Sequence, residues 1–262
     1  MPKTTTSRDG TAIAYDIAGD GVPLVYVTGA LCHRRMREVR RDAKVFSERF
    51  RVITFDRRGR GDSGPGGAWS LDRELDDVEA LLDVAGDRAV IYGHSSGAVI
   101  ALHAAARFAG RVDAVALYDA AWAADDAEVA SYRGLTTEVD GLLERGRNAA
   151  AIRRFLVGIG MPRVFTYLLP VLPQWSTMKQ LAPTLRYDMA LTATPPPLDT
   201  VADVATAVHI LVGERSPREL HAVATALAGA RQGVPTVVAG QNHLASPAVI
   251  LPLLTAISKA AT

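Results

Sequence analysis

The stretch YGHSSGAVIA, residues 92–101, carries the pattern that decides the fold of this 262-residue chain. Within it, Gly93, Ser95 and Gly97 form a G-x-S-x-G motif between a predicted buried strand and a predicted helix. A strand-to-helix turn this tight strains its central residue and requires small neighbours, which the two glycines provide. Ser95 is therefore predicted to raise its hydroxyl above a sheet as a nucleophile. An ordinary Gly/Ser turn is the alternative interpretation.

Short apolar runs of strand type alternate with longer stretches of helical spacing on both sides of this motif. The predicted strands are 11–19, 23–29, 51–56, 89–93, 112–119, 207–213 and 234–240. The predicted helices that separate the first of them are 33–50, 70–86 and 96–110. This alternation predicts an α/β fold, a mostly parallel central sheet with helices on both faces. The functional loops of such a sheet lie at the carboxyl ends of its strands.

The interval 121–199 interrupts the alternation, because it is mostly helical in pattern but contains MPRVFTYLLPVLPQW and TATPPPLD. The three consecutive prolines at 195–197 predict a stiff, extended connector and a domain boundary. We therefore expect a core formed by residues 1–120 and 200–262, with 121–199 as a helical insertion over the sheet.

The composition favours a globular enzyme of ordinary charge. Hydrophobic residues make up 48% of the chain, which is ample for a buried core, and the net charge of +1 gives no indication of a nucleic-acid partner. The single cysteine, Cys32, excludes an internal disulfide framework and a multi-cysteine metal site. No signal-peptide stretch and no apolar run of about 18 residues is present, so we expect a cytoplasmic protein without a membrane partner. The oligomeric state is not readable from the sequence.

From about residue 8 to the C-terminus the chain resembles the α/β-hydrolase superfamily of serine hydrolases. DRRGRGDS (56–63) is similar to the family's D-x-R-G-x-G-x-S loop, and AGQNH (239–243) is similar to the segment with the catalytic histidine. VTGALC (27–32) occupies the place of the oxyanion loop, although Thr28 stands where the family usually has histidine. The insertion resembles the family's helical cap, so the resemblance implies an α/β-hydrolase fold with a cap.

The resemblance also implies roles for the residues of a catalytic site. A serine hydroxyl is a poor nucleophile at neutral pH and needs a base, and His243 matches the family's position for it. The oxyanion hole needs two N–H donors, which by resemblance are the backbone groups of Ala30 and Ser96. Ser96 also opens a predicted helix, where unpaired N–H groups and the helix dipole favour an anion.

The acid of the triad is not where the family usually has it. An Asp is expected three residues after Gly213, which ends the penultimate strand, but that position is Ser216, and serine has no negative charge. The sequence favours Asp119, at the end of the preceding strand, because two adjacent strand tips can reach the same histidine. Glu214 is the alternative acid, and a triad without an acid is the third possibility. Ser216 is then predicted to cap the following helix.

The implied reaction is hydrolysis of a carboxylic ester or lactone of a small to medium apolar substrate through an acyl-enzyme on Ser95, with no metal or organic cofactor. Carbon–carbon bond hydrolysis and perhydrolysis on the same residues are alternatives, as is a non-hydrolytic ligand-binding or cyclase scaffold. Serine at the motif argues against epoxide and haloalkane hydrolases, which resemble this family but use Asp. The residues predicted to line the substrate pocket are Leu31, His33, Trp122, Phe155, Phe165 and Trp175.

Overall fold

The computed structural model describes residues 2–260, which fold around one eight-stranded sheet. The strands are β1 (Lys3–Thr6), β2 (Ala12–Ala18), β3 (Val22–Val27), β4 (Phe50–Phe55), β5 (Ala89–His94), β6 (Val112–Tyr118), β7 (Ala207–Gly213) and β8 (Thr236–Val238). Their spatial order is β1-β2-β4-β3-β5-β6-β7-β8. Only β1–β2 and β2–β4 pair antiparallel, and the other neighbours are parallel. The predicted mostly parallel sheet is confirmed.

Helices connect most of the strands and fill the long interval between β6 and β7. They are α1 (Arg37–Phe46), α2 (Leu71–Ala85), α3 (Ser96–Arg107), α4 (Asp126–Glu144), α5 (Asn148–Gly158), α6 (Arg163–Thr166), α7 (Trp175–Leu181), α8 (Leu185–Thr192), α9 (Leu198–Asp203), α10 (Arg218–Gly229) and α11 (Pro247–Ala260). None of the helices in the described range 2–260 is long and apolar enough to cross a membrane.

Both faces of the sheet are covered, because alternate residues of each strand enter two different apolar clusters. Val25 and Val27 of β3 pack in the cluster that contains buried residues of α2, α3 and α10. Leu24 and Tyr26 of the same strand pack in the other cluster, with buried residues of α1, α11 and the helices between β6 and β7. Near-continuous apolar strands are the sequence signature of this two-sided burial.

Two differences from the predicted elements have local causes. The helix predicted over 33–50 begins only at Arg37, because the preceding Arg34 turns inward and pairs with Asp16, Asp56 and Asp62. Strand β1 was not predicted, since KTTT has no apolar alternation and its residues are mostly exposed at the sheet edge. By contrast, the helix predicted over 70–86 is confirmed, and it is capped at both ends: Ser70 Oγ accepts a hydrogen bond from the N–H of Arg73, and Gly86 closes the helix with φ 92°.

The helices α4 to α8 lie between the sheet strands β6 and β7 in sequence and meet the core at several points. Leu185 and Met189 of α8 are buried in the cluster that also contains Tyr26 of β3. After the three prolines, α9 returns to the core, where Val201 is fully buried with residues of α3 and α10. The division into a core of 1–120 and 200–262 and a cap of 121–199 stays a prediction, with the return at α9 in favour of it.

Candidate active site

Ser95 lies in the turn between β5 and α3 with φ 57° and ψ −127°, a backbone conformation that is strained for any residue except glycine. Its N–H donates to the carbonyl of Tyr118 at 3.0 Å, which ties the turn to the end of β6. A Cβ on Gly97 would collide with the backbone carbonyls of Val27 and Thr28. A Cβ on Gly93 would lie 2.6 Å from Cα of Ala98. Both flanking positions of the motif therefore require glycine.

The loop after β3 passes directly against Ser95. A Cβ built on Gly29 would lie 2.9 Å from Cβ and 3.4 Å from Oγ of Ser95, so the peptide group that joins Gly29 to Ala30 is next to the serine hydroxyl. Thr28 is buried, and within residues 2–260 its hydroxyl has no hydrogen-bond partner. The loop is held instead by Arg60, whose Nη1 donates to the carbonyl of Gly29 at 2.8 Å.

Asp119 follows β6 and is fully buried, with φ 45°. Its Oδ1 accepts a hydrogen bond from the N–H of Gly213 at 2.9 Å. Its Oδ2 accepts one from Oγ of Ser216 at 2.6 Å and lies 3.0 Å from Nδ1 of His243. The structure thus brings Asp119 and His243 together. The contact is possible because β6 and β7 are neighbours in the sheet, as predicted.

The carboxyl group of Asp119 is held in its ionised form. Burial alone would raise its pKa, but the hydrogen bonds from His243, Ser216 and the N–H of Gly213 lower the pKa below its ordinary value. Because an ionised carboxylate only accepts hydrogen bonds, the proton of this contact sits on Nδ1 of the imidazole. In the neutral imidazole of this tautomer, Nε2 of His243 has the free lone pair that a general base requires.

The prediction that Ser216 caps the helix after β7 is wrong. The helix α10 begins at Arg218 with Pro217 in the cap position, and no side chain caps it. The hydroxyl of Ser216 donates instead to the carboxylate of Asp119, and a hydrogen bond to a charged acceptor is stronger than one between neutral groups. Ser216 is thus a site residue that sequence reasoning missed. The sequence did contain one indication of this role, because Ser216 occupies the position at which the family usually has the acid.

Glu214, the alternative acid, has another partner. Its Oε2 accepts a hydrogen bond from the N–H of Gly240 at 2.7 Å, and its own N–H donates to the carbonyl of Val238 at 3.1 Å. The side chain is exposed and connects the loop after β7 to the start of the loop that carries His243.

The backbone of the His243 loop is fixed by two side chains of neighbouring strands. Tyr118 Oη donates to the carbonyl of Asn242 at 2.6 Å. His94 Nε2 donates to the carbonyl of His243 at 2.8 Å, and the two imidazole rings lie 4.7 Å apart between centroids. Burial, and then repulsion from His243 in its charged form, lowers the pKa of His94 to about 3. His94 therefore stays neutral and serves as a support for the loop.

Ser95 and His243 both lie at the carboxyl edge of the sheet, next to His94. Within residues 2–260, no hydrogen bond joins Ser95 Oγ to the imidazole of His243. Such bonds are often long or poorly aligned before a substrate is present. Of the three predicted triad residues, Asp119 and His243 are thus in contact. Ser95 is linked to them through its backbone, because its N–H binds Tyr118, the residue before Asp119.

The predicted pocket residues occupy different environments. Leu31 and Phe155 are buried in the cluster that contains α1 and α11, whereas Trp122 is buried in the opposite cluster. Phe165 is 56% exposed, and Trp175 lies partly buried under the guanidinium of Arg153. His33 lines an open groove of about 830 Å³ between α1 and α7. Their roles toward a substrate stay predictions.

The loop 56–63 contains buried charged side chains that are paired with other buried groups. Asp56 accepts hydrogen bonds from the N–H groups of Arg34 and Asp62, each at 2.8 Å. Arg58 makes two hydrogen bonds to the carboxylate of Asp77, at 2.8 and 2.6 Å. Within residues 2–260, no group of three or more His, Cys, Asp or Glu side chains is arranged to hold a metal ion.

Comparison with known proteins gives a consistent result. The family model described as "Alpha/beta hydrolase family" matches residues 24–251. The crystal structure of an alpha/beta hydrolase from Sphaerobacter thermophilus DSM 20745 is similar over 97% of this chain and 99% of that chain, with 33% identity and a TM-score of 0.86. No curated protein matches this chain.

Two further solved structures share the fold at lower identity. The esterase RhEst1 from Rhodococcus sp. ECU1013 is 19% identical, with a TM-score of 0.70 over 100% of this chain and 99% of that chain. The meta-cleavage product hydrolase CumD from Pseudomonas fluorescens IP01 is 19% identical, with a TM-score of 0.68 over 99% of this chain and 98% of that chain. At this level of identity the two likenesses concern the fold alone.

Proposed function

The chain belongs to the α/β-hydrolase family, and on this basis we propose that it hydrolyses a carboxylic ester or lactone through an acyl-enzyme on Ser95. The observation that carries the proposal is the 3.0 Å contact between Asp119 and His243, at the same sheet edge as a serine in a strained strand-to-helix turn. This combination supplies a nucleophile, a base and a carboxylate that orients the base.

In the first half of the reaction, Nε2 of His243 takes the proton of the Ser95 hydroxyl while Oγ bonds to the carbonyl carbon of the ester. The carbonyl electrons move onto oxygen, and the N–H groups of Ala30 and Ser96 stabilise the resulting charge. The imidazolium of His243 then gives its proton to the alkoxide as the carbon–oxygen bond breaks. The alcohol leaves, and the acyl group remains on Ser95.

In the second half, water takes the place of the alcohol. His243 removes one proton from the water molecule as its oxygen bonds to the acyl carbon, and the same two N–H groups stabilise the second tetrahedral intermediate. Collapse of this intermediate breaks the bond to Ser95, which recovers its proton from His243. The products are one carboxylic acid and one alcohol, or a single hydroxy acid when the substrate is a lactone.

The position of Ser96 supports its role in this scheme. It is the first residue of α3, so its N–H has no partner within the helix and lies at the positive end of the helix dipole. The backbone at Gly29, which precedes Ala30, also lies close to Ser95. Two N–H donors beside the serine, aimed at the same oxygen, are what a developing oxyanion requires.

An apolar, small to medium substrate is the best-supported class. The helical segment between β6 and β7 has a run of large apolar side chains that are at least 45% exposed, namely Ile159, Val164, Phe165, Tyr167, Leu168, Val171 and Leu172. An exposed apolar run of this kind is typical of a binding surface. We assign the protein a small-molecule substrate and keep the cytoplasm as its expected location.

Carbon–carbon bond hydrolysis is the second candidate. It is favoured by the similarity in fold to CumD, which is a meta-cleavage product hydrolase. The same Ser95 and His243 would serve in that reaction, so the two candidates differ in substrate and not in machinery. A non-hydrolytic scaffold is disfavoured, because a binding protein has no need of a buried carboxylate that holds one tautomer of a histidine.

A substrate panel tests the proposal. The purified protein is assayed with p-nitrophenyl esters of increasing acyl length, with lactones, and with a vinylogous diketone as the carbon–carbon substrate. We expect hydrolysis of at least one ester or lactone, and a loss of at least about 10³-fold in kcat in Ser95→Ala. If the wild type turns over only the diketone, the second candidate replaces the first. If no substrate is cleaved, or Ser95→Ala retains activity, the proposed function is wrong.

A further inference from the structure

The carboxylate of Asp188 on α8 lies at a junction between the inserted helices and the candidate active site. It is buried, with 1% of the residue exposed. Its Oδ1 accepts hydrogen bonds from Nη1 of Arg57 at 2.7 Å and from Oγ of Ser96 at 2.8 Å. Its Oδ2 accepts one from Nη2 of Arg60 at 2.6 Å. One side chain thus joins the insertion, the loop 56–63 and the first residue of α3.

Arg60 extends this junction to the loop beside Ser95. Its Nη1 donates to the carbonyl of Gly29 at 2.8 Å and approaches the carbonyl of Cys32 at 3.4 Å. The guanidinium is planar and rigid. The hydrogen bond of Nη2 to Asp188 therefore restricts where Nη1 can lie, and Nη1 is the nitrogen that binds Gly29. Arg60 is 1% exposed and has little room for another orientation.

The hydrogen bond to Gly29 bears directly on Ala30. The carbonyl of Gly29 and the N–H of Ala30 belong to the same trans peptide group, which is planar, and they point in opposite directions. Fixing the carbonyl therefore fixes the direction of the N–H. A cationic donor on the carbonyl also polarises the peptide group and makes its N–H a stronger donor.

The second contact acts on Ser96. The hydroxyl of Ser96 is bound to Asp188, and the N–H of the same residue is the other proposed oxyanion donor. Ser96 is 2% exposed, and its side chain is anchored below the turn on the carboxylate. Asp188 is thus connected to Ser96 by one hydrogen bond. It is connected to the Gly29–Ala30 peptide group by two hydrogen bonds, through Arg60.

We propose that Asp188 is the positioning residue of the oxyanion hole: it fixes Ser96 directly and Ala30 through Arg60, so that hydrolysis depends on the docking of α8. This inference rests on the proposed function, because an oxyanion hole has meaning only for a reaction with a tetrahedral intermediate. It assigns the insertion a part in the chemical step in addition to any contact with substrate.

The charges of the junction support this arrangement. Arg57 is bound by Glu74 as well as by Asp188, so that two buried cations face two buried anions. Burial would raise the pKa of Asp188, but Arg60 and Arg57 lower it below the ordinary value, and the carboxylate is ionised. A neutral residue at 188 would leave an excess of buried positive charge beside Gly29 and would loosen the hold on Arg60.

The test compares Asp188→Asn and Ser96→Ala with a control, Asp77→Asn. Asp77 is fully buried and is bound by Arg58 on the same loop, but within residues 2–260 it makes no hydrogen bond to Gly29 or Ser96. The measurements are kcat and KM for the best neutral ester, and the affinity for phenylboronic acid, which forms a tetrahedral anionic adduct on an active serine. Thermal melting and circular dichroism verify the fold of each variant.

A displaced oxyanion donor lowers transition-state binding and leaves ground-state binding unchanged. For Asp188→Asn we expect kcat and boronate affinity to fall together by about tenfold or more, with KM changed by less than about twofold. Ser96→Ala keeps its N–H but loses its anchor, so the same two quantities should fall by roughly threefold or more. Asp77→Asn should lower the melting temperature without a change in either quantity.

The inference is overturned if folded Asp188→Asn has the kcat and the boronate affinity of the wild type. Should Asp188→Asn fail to fold, Ser96→Ala decides the question, and unchanged values in that variant contradict the inference. Equal losses in Asp77→Asn would also contradict it, because they would mark a general effect of buried charge. Failure of the proposed function looks different, since the wild type itself would then hydrolyse no ester and bind no boronate.

Discussion

Asp119 Oδ2 lies 3.0 Å from Nδ1 of His243, although Asp119 directly follows β6, the strand before the one whose loop usually provides the acid in this family. Strands β6 and β7 are adjacent and parallel, so their carboxyl ends reach the same point above the sheet. The vacated position after β7 is Ser216, which donates its hydroxyl to Asp119. The proposed acid, Asp119, and the residue at the family's usual acid position thus form a hydrogen-bonded pair.

The first prediction concerns the identity of the acid. Asp119→Asn preserves the shape of the side chain but removes the charge that holds the imidazole tautomer, so kcat should fall by roughly 10³- to 10⁴-fold. Glu214→Gln affects only the hydrogen bond to Gly240 and should cost less than about tenfold. Ester hydrolysis by the two purified variants measures both values. The reverse ranking would transfer the acid to Glu214.

The second prediction concerns the support of that acid. Ser216→Ala removes a 2.6 Å hydrogen bond to the carboxylate of Asp119, which should raise the pKa of that group toward its ordinary value. A hydrogen bond to a charged group contributes about 1.5–3 kcal/mol, so kcat/KM should fall by at least about tenfold. Ser216→Thr retains the hydroxyl and is the matched control. Equal activity of the Ala and Thr variants would show that Ser216 has no part in holding Asp119.

The third prediction concerns the pH dependence of stability. The pKa of His94 is about 3 in the folded protein and about 6.5 in an unfolded chain, so below pH 6.5 the unfolded state binds a proton that the folded state does not. The free energy of unfolding should therefore decrease as the pH falls, by at most about 1.4 kcal/mol per pH unit from this group. His94→Gln removes the titrating group, and its unfolding free energy between pH 6.5 and 4 should fall less steeply.

Denaturant titrations of the wild type and His94→Gln at several pH values measure that difference. The histidines that do not contact His94 are common to both proteins and cancel in the comparison. Identical pH slopes for the two proteins would mean that His94 is not held neutral by burial.

The fourth prediction concerns the tight turn at Ser95. Gly97→Ala places a Cβ against the carbonyl oxygens of Val27 and Thr28, which are backbone atoms that have no room to move. We expect a loss of about 3 kcal/mol or more, or roughly 6–12 °C in melting temperature for a chain of this size. Gly110→Ala is the control, because a Cβ there meets no atom within 4 Å. Equal melting temperatures for the two variants would contradict the described packing of the turn.

The parts of the fold that were predicted correctly are those in which neighbours in sequence decide the structure. The alternation of apolar runs and helical spacing predicted the parallel sheet, and Ser70 and Gly86 marked the two ends of α2. The motif around Ser95 was recognisable because the turn, its strained centre and its glycines lie within five residues.

The parts that were missed depend on contacts between distant segments. Ser216 has the local pattern of a helix cap, and only the fold brings the carboxylate of Asp119, 97 residues away, within reach of its hydroxyl. Arg57, Arg58 and Arg60 resemble a solvated basic loop in sequence, yet all three are buried against carboxylates. Asp188 lies in an unremarkable helix, and its importance arises only where α8 meets Ser96.

The central claim is that Ser95 is an activated nucleophile, and reaction with a fluorophosphonate tests it most directly. The serine oxygen replaces fluoride on phosphorus, so intact-protein mass spectrometry should show one adduct, and peptide mapping should assign it to Ser95. Ser95→Ala and the heat-unfolded wild type should remain unlabelled, because the hydroxyl reacts only beside a positioned base. A folded wild type that gains no mass, or a Ser95→Ala variant that is labelled equally, would contradict the account.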